Sequence, residues 1–247
     1  MTSESDPPFP VLAEEPHYLA VFKPAGWLVQ GARPEDPSLP EALRAWIERR
    51  DAKPGRAFLA IVHRIDRPVS GVVVIAKRSK AASRLSDSIR RHEFHKTYRA
   101  VVEGRPPSEE GTCRNWLVWS EDRRRTLCHD TPVPDAREAV LHWRTLRAGP
   151  DRCVLAIEPI TGRKHQIRAQ LASIGCPILG DRRYGARRDV DDGVAIALLA
   201  ASVAFPHPVD RDRRVRVDVP PELDPVPRWW ANEGPADEST GPSGTGC

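Results

Sequence analysis

The chain has 247 residues, 40% hydrophobic and 29% charged, with no apolar run near the ~20 residues of a membrane span and no basic or apolar leader in MTSESDPPFP, which points to a cytoplasmic protein rather than a membrane or secreted one. Its five cysteines are odd in number and form no C-x-x-C pair, which argues against a disulfide framework or a zinc ribbon. A net charge of +4 becomes +11 over residues 17–230, where 38 bases face 27 acids; 32 of those bases are arginine, which suits phosphate contacts but also fits a plain arginine bias.

Residues 1–16, rich in proline and acid, read as a tail, and so do residues 231–247, which lack any large apolar side chain. The first expected strand is Tyr18 to Phe22, followed by the turn Lys23-Pro24-Ala25-Gly26 and an extended run from Trp27 to Gln30. Leu39, Leu43, Trp46 and Ile47 have the spacing of an amphipathic helix over Leu39 to Arg50. Phe58 to Val62 and Val72 to Ala76 are compact buried strands. A helix capped by Ser79 should run to about Arg91, with Ala82, Leu85 and Ile89 on one face. Strands follow at Thr97 to Val102, Trp116 to Trp119, Ala139 to Leu146 and Cys153 to Ile157. Ile167, Leu171 and Ile174 mark a helix over Gly162 to Ile174 that stops at Gly175. Ala195 to Phe205 is apolar enough for strand or buried helix, and Arg213 to Val219 alternates with period two. Consecutive strands without regular βαβ alternation predict an α+β fold: a single domain over 17–230 with a mixed, mostly antiparallel central sheet and flanking helices.

The densest polar composition lies between two apolar strands, in His63-Arg64-Ile65-Asp66-Arg67-Pro68-Val69-Ser70-Gly71. A loop held by a rigid scaffold is where catalytic groups concentrate, and here Ser70 is available to satisfy turn amides. The bland alternative is that Asp66 only pairs with Arg64 or Arg67 across a tight turn. A second constellation is Thr161-Gly162-Arg163-Lys164-His165-Gln166-Ile167-Arg168, in which Lys164 and Arg168 stand i,i+4 and would share one cationic helix face. A carboxylate meeting that face would stay ionised. A third is Lys96-Thr97-Tyr98, whose tyrosine either fills the core or stacks on a base. His92 and His95 have the wrong spacing for a metal helix, so no metal site is expected. G-x-G-x-x-G and Walker A sequences are also missing, so no cofactor is expected.

In this order, with Lys23-Pro-Ala-Gly ahead and Gly180-Asp181-Arg182-Arg183-Tyr184-Gly185 behind, the three segments resemble the RluA-type family of RNA pseudouridine synthases over residues 18–220. The first is similar to the family's H-R-L-D-x-x-T-S-G motif, the third to its K-x-Y strand and the second to its G-R-x-H-Q-I-R motif. The resemblance implies three catalytic residues. Asp66 would attack the target uridine, Tyr98 would pack on the flipped base and take part in removing the C5 proton, and Arg168 would pair with Asp66. Arg64 would fill the gap left in the RNA stack, and His63, Arg67, Arg163 and Lys164 are expected to join it in binding substrate. The implied partner is ribosomal or transfer RNA, modified by a monomer that needs no protein partner.

Departures from the family pattern are Ile65 and Val69 for leucine and threonine, and Leu198-Leu199-Ala200 where relatives have Leu-His-Ala. The roughly sixteen residues before the first strand leave no room for the S4 domain that many relatives carry, so targeting would fall to the catalytic domain. Two readings compete with the enzyme: a catalytically idle RNA-binding or chaperone-like protein using the same cleft, and an unrelated hydrolase built on His63 and Asp66.

Overall fold

The computed structural model describes residues 6–31, 38–52, 55–190 and 193–231. The sheet opens with β1 (Val11–Glu14), inside the stretch expected to be a tail, pairing antiparallel with β2 (Tyr18–Lys23) while Phe9 is buried in the core. Acid and proline around a short apolar tetrad concealed an edge strand. Apart from Ala231, which ends the last helix, the expected C-terminal tail lies outside the described residues.

Helix α1 (Leu39–Asp51) follows its apolar spacing, with Leu39, Leu43, Trp46 and Ile47 buried. Strand β3 shrinks to Ala60–Ile61, β4 (Ser70–Ala76) is buried throughout, and α2 (Ser79–Arg90) starts without a side-chain cap, so Ser79 is its first residue and not its cap. Four long strands form the middle of the chain: β5 (His95–Glu103), β6 (Glu110–Ser120), β8 (Arg137–Ala148) and β9 (Arg152–Pro159). A hairpin turn after β6 leads to β7 (Arg125–His129), which escaped the sequence reading because two of its five residues are charged or imidazole and only Thr126 is fully buried. Then come α3 (Gln166–Ser173), β10 (Leu198–Pro206), β11 (Arg214–Asp218) and α4 (Val226–Ala231).

The strands form one sheet in the order β1-β2-β4-β10-β5-β9-β8-β6-β7, with β11 also on β10 and β3 also on β4. Among the described residues β10 against β4 is the one parallel pair, and every other pair is antiparallel, so the fold is the expected mixed α+β sheet. β10, of ambiguous type in sequence, is a strand because it sits centrally and is buried on both faces. The parallel contact is short and close. Leu199 faces Ser70 and Ala200 faces Gly71, and Gly71 has φ +128° with its missing Cβ only 2.3 Å from the Ala200 carbonyl oxygen. Only glycine fits there.

That contact leaves a gap along one edge of β4. β3 pairs with Ile75 and Ala76 and β10 with Ser70 and Gly71, so the edge between them lacks a strand partner. His63 fills the gap: its Nε2 accepts a hydrogen bond from the Val74 N–H at 2.9 Å. Among the described residues no helix is long and apolar enough to cross a membrane.

Candidate active site

The loop between β3 and β4 places Asp66, and its backbone is pinned at three successive carbonyls. The Asp66 carbonyl accepts from Val69 N–H at 3.1 Å, closing a turn; that of Arg67 accepts from Gly26 N–H at 2.8 Å; that of Pro68 accepts from Ile196 N–H at 3.1 Å. Ile65 and Val69 are buried on either side as anchors, which is why apolar replacements at these two positions leave the turn intact. Ser70, expected to bond turn amides, instead has a buried hydroxyl with no partner.

Beneath the turn lies Lys23, fully buried, its Nζ donating to the carbonyls of Pro24 and Trp27 at 2.9 Å and of Arg67 at 3.2 Å. Burial pulls its pKa down to about 7, with the nearby Asp66 charge opposing the fall. Lys23 was legible in sequence only as part of a turn; its work as a three-way backbone clamp depends on Arg67, 44 positions away.

Helix α3 supplies the facing cation. It begins at Gln166, four residues later than its apolar spacing suggested, because residues 162–165 form a loop ending at His165 in the left-handed region (φ +53°). The buried Gln166 side chain organises that loop: Oε1 accepts from Thr161 Oγ1 at 2.8 Å and from Arg163 N–H at 3.0 Å, while Nε2 donates to the Val140 carbonyl at 3.0 Å. Lys164 therefore does not share a helical face with Arg168. Its ammonium sits 3.0 Å from the centroid of the Trp119 ring.

Arg168 is almost wholly buried and holds two carboxylates. Nε and Nη2 form a bidentate pair with Asp181 at 2.7 and 2.8 Å, and Nη1 donates to Asp66 Oδ2 at 3.2 Å. The pairing of Arg168 with Asp66 is as expected, but Asp181 is the stronger partner and was not singled out in sequence. Burial alone would favour a neutral guanidinium; the bonds and charge of Asp181, then of Asp66, outweigh it and raise its pKa. Since Asp181 fixes the guanidinium plane, Nη1 is left pointing at Asp66. The ring of Tyr184 backs the guanidinium at 5.0 Å. Among the described residues Asp66 accepts its hydrogen bond at Oδ2, and Oδ1 accepts none.

Asp66 stands on the wall between two cavities. The outer cleft, about 830 Å³, is lined by Arg64, Arg67, Arg163, Lys164 and Arg183 among others. The inner pocket, about 300 Å³, is lined by Tyr98, Lys96, His63, Val69, Ile89 and Leu198 among others, and it shares Asp66 and Arg168 with the outer cleft. Tyr98 is buried on β5 opposite Ala200 and Ile157. Burial, reinforced by the Asp66 charge, raises its phenol pKa well above the ordinary value, so it remains protonated at neutral pH.

The remaining sequence-predicted residues divide. Arg64 and Arg67 are exposed, and both line the outer cleft; Arg67 also ties the loop by donating from Nε to the Gly26 carbonyl at 3.0 Å. Arg163 is exposed, with Nε donating to the Glu138 carbonyl at 3.0 Å. His63 is a largely buried residue whose ring supports β4 and packs 5.0 Å from Phe94, and it also lines the inner pocket. Burial, followed by the charge of Lys96, pulls its pKa down to about 3, so it stays neutral. Among the described residues no cluster of three histidine, cysteine, aspartate or glutamate side chains is placed to hold a metal.

The family model for RNA pseudouridylate synthase matches residues 17–173. The dual-specificity RNA pseudouridine synthase RluA of Vibrio vulnificus is 30% identical over 208 residues, 83% of this chain and 80% of that protein. Ribosomal large subunit pseudouridine synthase C of Vibrio cholerae is 30% identical over 217 residues, 86% of this chain but 65% of its own length. An uncharacterised RNA pseudouridine synthase of Chloroflexus aurantiacus is 42% identical over 128 residues, 52% of this chain and 39% of that protein, so the chain spans only part of some relatives. Among solved structures, human RNA pseudouridylate synthase domain containing 4 superposes with a TM-score of 0.71 at 20% identity, covering 87% of this chain and 90% of that one, which establishes the fold. With residues 17–173 matched by the family model and an RluA 30% identical over 80% of its length, the chain belongs to the RluA-type family of RNA pseudouridine synthases.

Proposed function

We propose that this chain isomerises uridine to pseudouridine in structured RNA, with Asp66 as nucleophile acting on a base flipped out of its stack. The observation that carries the reading is the placement of Asp66: one carboxylate oxygen is held by the buried Arg168, the other is open, and the group lies where an arginine-lined cleft meets a pocket of about 300 Å³ walled by Tyr98. A base stacked in a duplex cannot be rotated, so the target has to leave the stack, at a cost of a few kcal/mol that phosphate contacts offset. Arg64, Arg67, Arg163, Lys164 and Arg183 line the cleft that would follow the backbone.

Once the nucleotide is seated, the carboxylate attacks C1′ as the N1–C1′ bond breaks, the detached uracil anion turns within the inner pocket, C5 displaces the carboxylate from C1′, and loss of the C5 proton is balanced by protonation of N1, which returns Asp66 to its starting state. The bond from Arg168 keeps the carboxylate aimed. Tyr98 supplies a face for the ring. Its protonated phenol makes it a packing surface in the resting enzyme and not a ready base. All of these groups come from one chain, so the proposed reaction needs no second subunit. The names of the relatives point to ribosomal large-subunit RNA, with transfer RNA as a second candidate. Site-resolved pseudouridine mapping of total RNA with and without the gene tests the reading: it expects the signal to vanish at one or a few uridines, and unchanged maps would refute it.

A further inference from the structure

His165 lies within the second sequence motif and takes no part in the proposed bond-making steps. Its backbone is left-handed, an uncommon state for a residue with a side chain and one that surrounding structure has to enforce. Thr126 of β7 does so from two sides. Its Oγ1 donates to the Lys164 carbonyl at 2.7 Å, just ahead of His165, and its N–H donates to the Tyr184 hydroxyl at 2.8 Å. With that oxygen already accepting one bond, the Tyr184 hydroxyl is free to aim its proton at His165 Nδ1, 2.9 Å away. That arrangement makes Nδ1 the acceptor and puts the ring proton on Nε2, the tautomer on which the proposal rests. Nε2 faces Asp66 Oδ2 at 3.8 Å, the same oxygen that Arg168 holds. The edge of Trp119 on β6 packs against the ring at 5.4 Å and fixes its plane.

We propose that His165 is a positioning residue for the nucleophile: a neutral Nε2–H donor, its tautomer set by the relay from Thr126 through Tyr184, that closes on Asp66 Oδ2 when substrate is bound and leaves Oδ1 to react. Contacts at reacting groups are often long in the empty enzyme and tighten in the complex. A neutral donor aims the carboxylate without adding a second full positive charge that would blunt it. The groups facing the ring are Asp66, Arg168, Arg183, Lys164 and Tyr184. Burial, opposed by Asp66 and assisted by the three cations, pulls its pKa down to about 4, so its charge does not change across the neutral range. The inference rests on the assignment of Asp66 as nucleophile.

The test has a spectroscopic and a kinetic arm. Long-range proton–nitrogen NMR of histidine-labelled protein, with His165→Gln identifying the signal, should show the Nε2–H tautomer and no titration above pH 5, and Tyr184→Phe should give a tautomer mixture. In parallel, tritium release is followed with 5-tritiated RNA from a strain lacking the gene. His165→Leu is expected to lower kcat by about 100-fold with KM changed no more than about threefold, as for a misplaced reacting group, while His165→Gln, which keeps an N–H at the same reach, stays within about tenfold of wild type. An Nδ1–H tautomer, a midpoint near 6.5, or a folded His165→Leu protein with unchanged kcat overturns the inference. Loss of the Asp66 assignment would be seen separately, as retained activity in Asp66→Asn, and leaves the NMR arm readable.

Discussion

Arg168 carries the heaviest load of any single side chain in the site, because three of its nitrogens serve two carboxylates from a position with almost no solvent contact. Lysine in its place keeps the charge and loses the fork, so Asp181 or Asp66 goes without its bond. Arg168→Lys is expected to cost at least about 2 kcal/mol of stability, from a buried carboxylate left short of donors, and to lower tritium release by more than about tenfold. Urea unfolding alongside the activity assay checks both, and near-wild-type values in each would contradict the bidentate role. Asp66 is legible in the sequence because a run of charged residues between apolar strands is conspicuous on its own, whereas Tyr98 and Arg168 stand out through the motifs that resemble the family's. Lys23, Asp181 and His165 are legible only as members of motifs, since what they do depends on partners 44, 13 and 19 positions away. His63 has a second task that the sequence hides: besides lining the inner pocket, it stands in for a strand partner along the gap in β4.

At the scale of elements, the site depends on where strands meet and helices begin. The parallel contact of β10 with β4 places Ile196 under the Asp66 turn, and Gly71 permits it. Gly71→Ala would drive a methyl into the Ala200 carbonyl at a φ that alanine resists, and the expected loss is roughly 3 kcal/mol or more, read as a fall in the urea midpoint with loss of activity. An unchanged midpoint would mean that β4 and β10 separate freely and that the turn is held elsewhere. The late start of α3 could not be read from Ile167, Leu171 and Ile174, which fix the phase of a helix and not its first residue. The loop ahead of it exists because Gln166 and Thr126 satisfy its backbone. β1 and β7 were missed because short edge strands carry too few apolar residues to show a period, and they form by pairing with strands already in place.

The whole molecule should be sensitive to acid in a defined window. His63 and His165, held neutral with pKa values of about 3 and about 4, bind fewer protons than the same residues in the unfolded chain near 6.5. Between pH 6.5 and 5 the unfolded state gains protons that the folded state refuses, so stability falls as pH falls, by up to about 1.4 kcal/mol per pH unit for each histidine. Carboxylates held below their usual range, such as Glu14 and Asp151, add to the loss only below about pH 4.5. Urea titrations at half-unit steps of pH should give that slope; a flat profile across the window would place both rings in contact with water. The +11 body, modest as a net charge of +4 suggested, gathers arginines on the cleft that leads to Asp66.

The central claim is that this carboxylate performs the reaction, and the most direct measurement is tritium release from C5-labelled uridine in RNA that the wild-type protein modifies. Asp66→Asn keeps the size of the side chain and can still accept a bond from Arg168, so the fold should survive while release drops to background. Release near the wild-type rate from a folded Asp66→Asn protein would contradict the account.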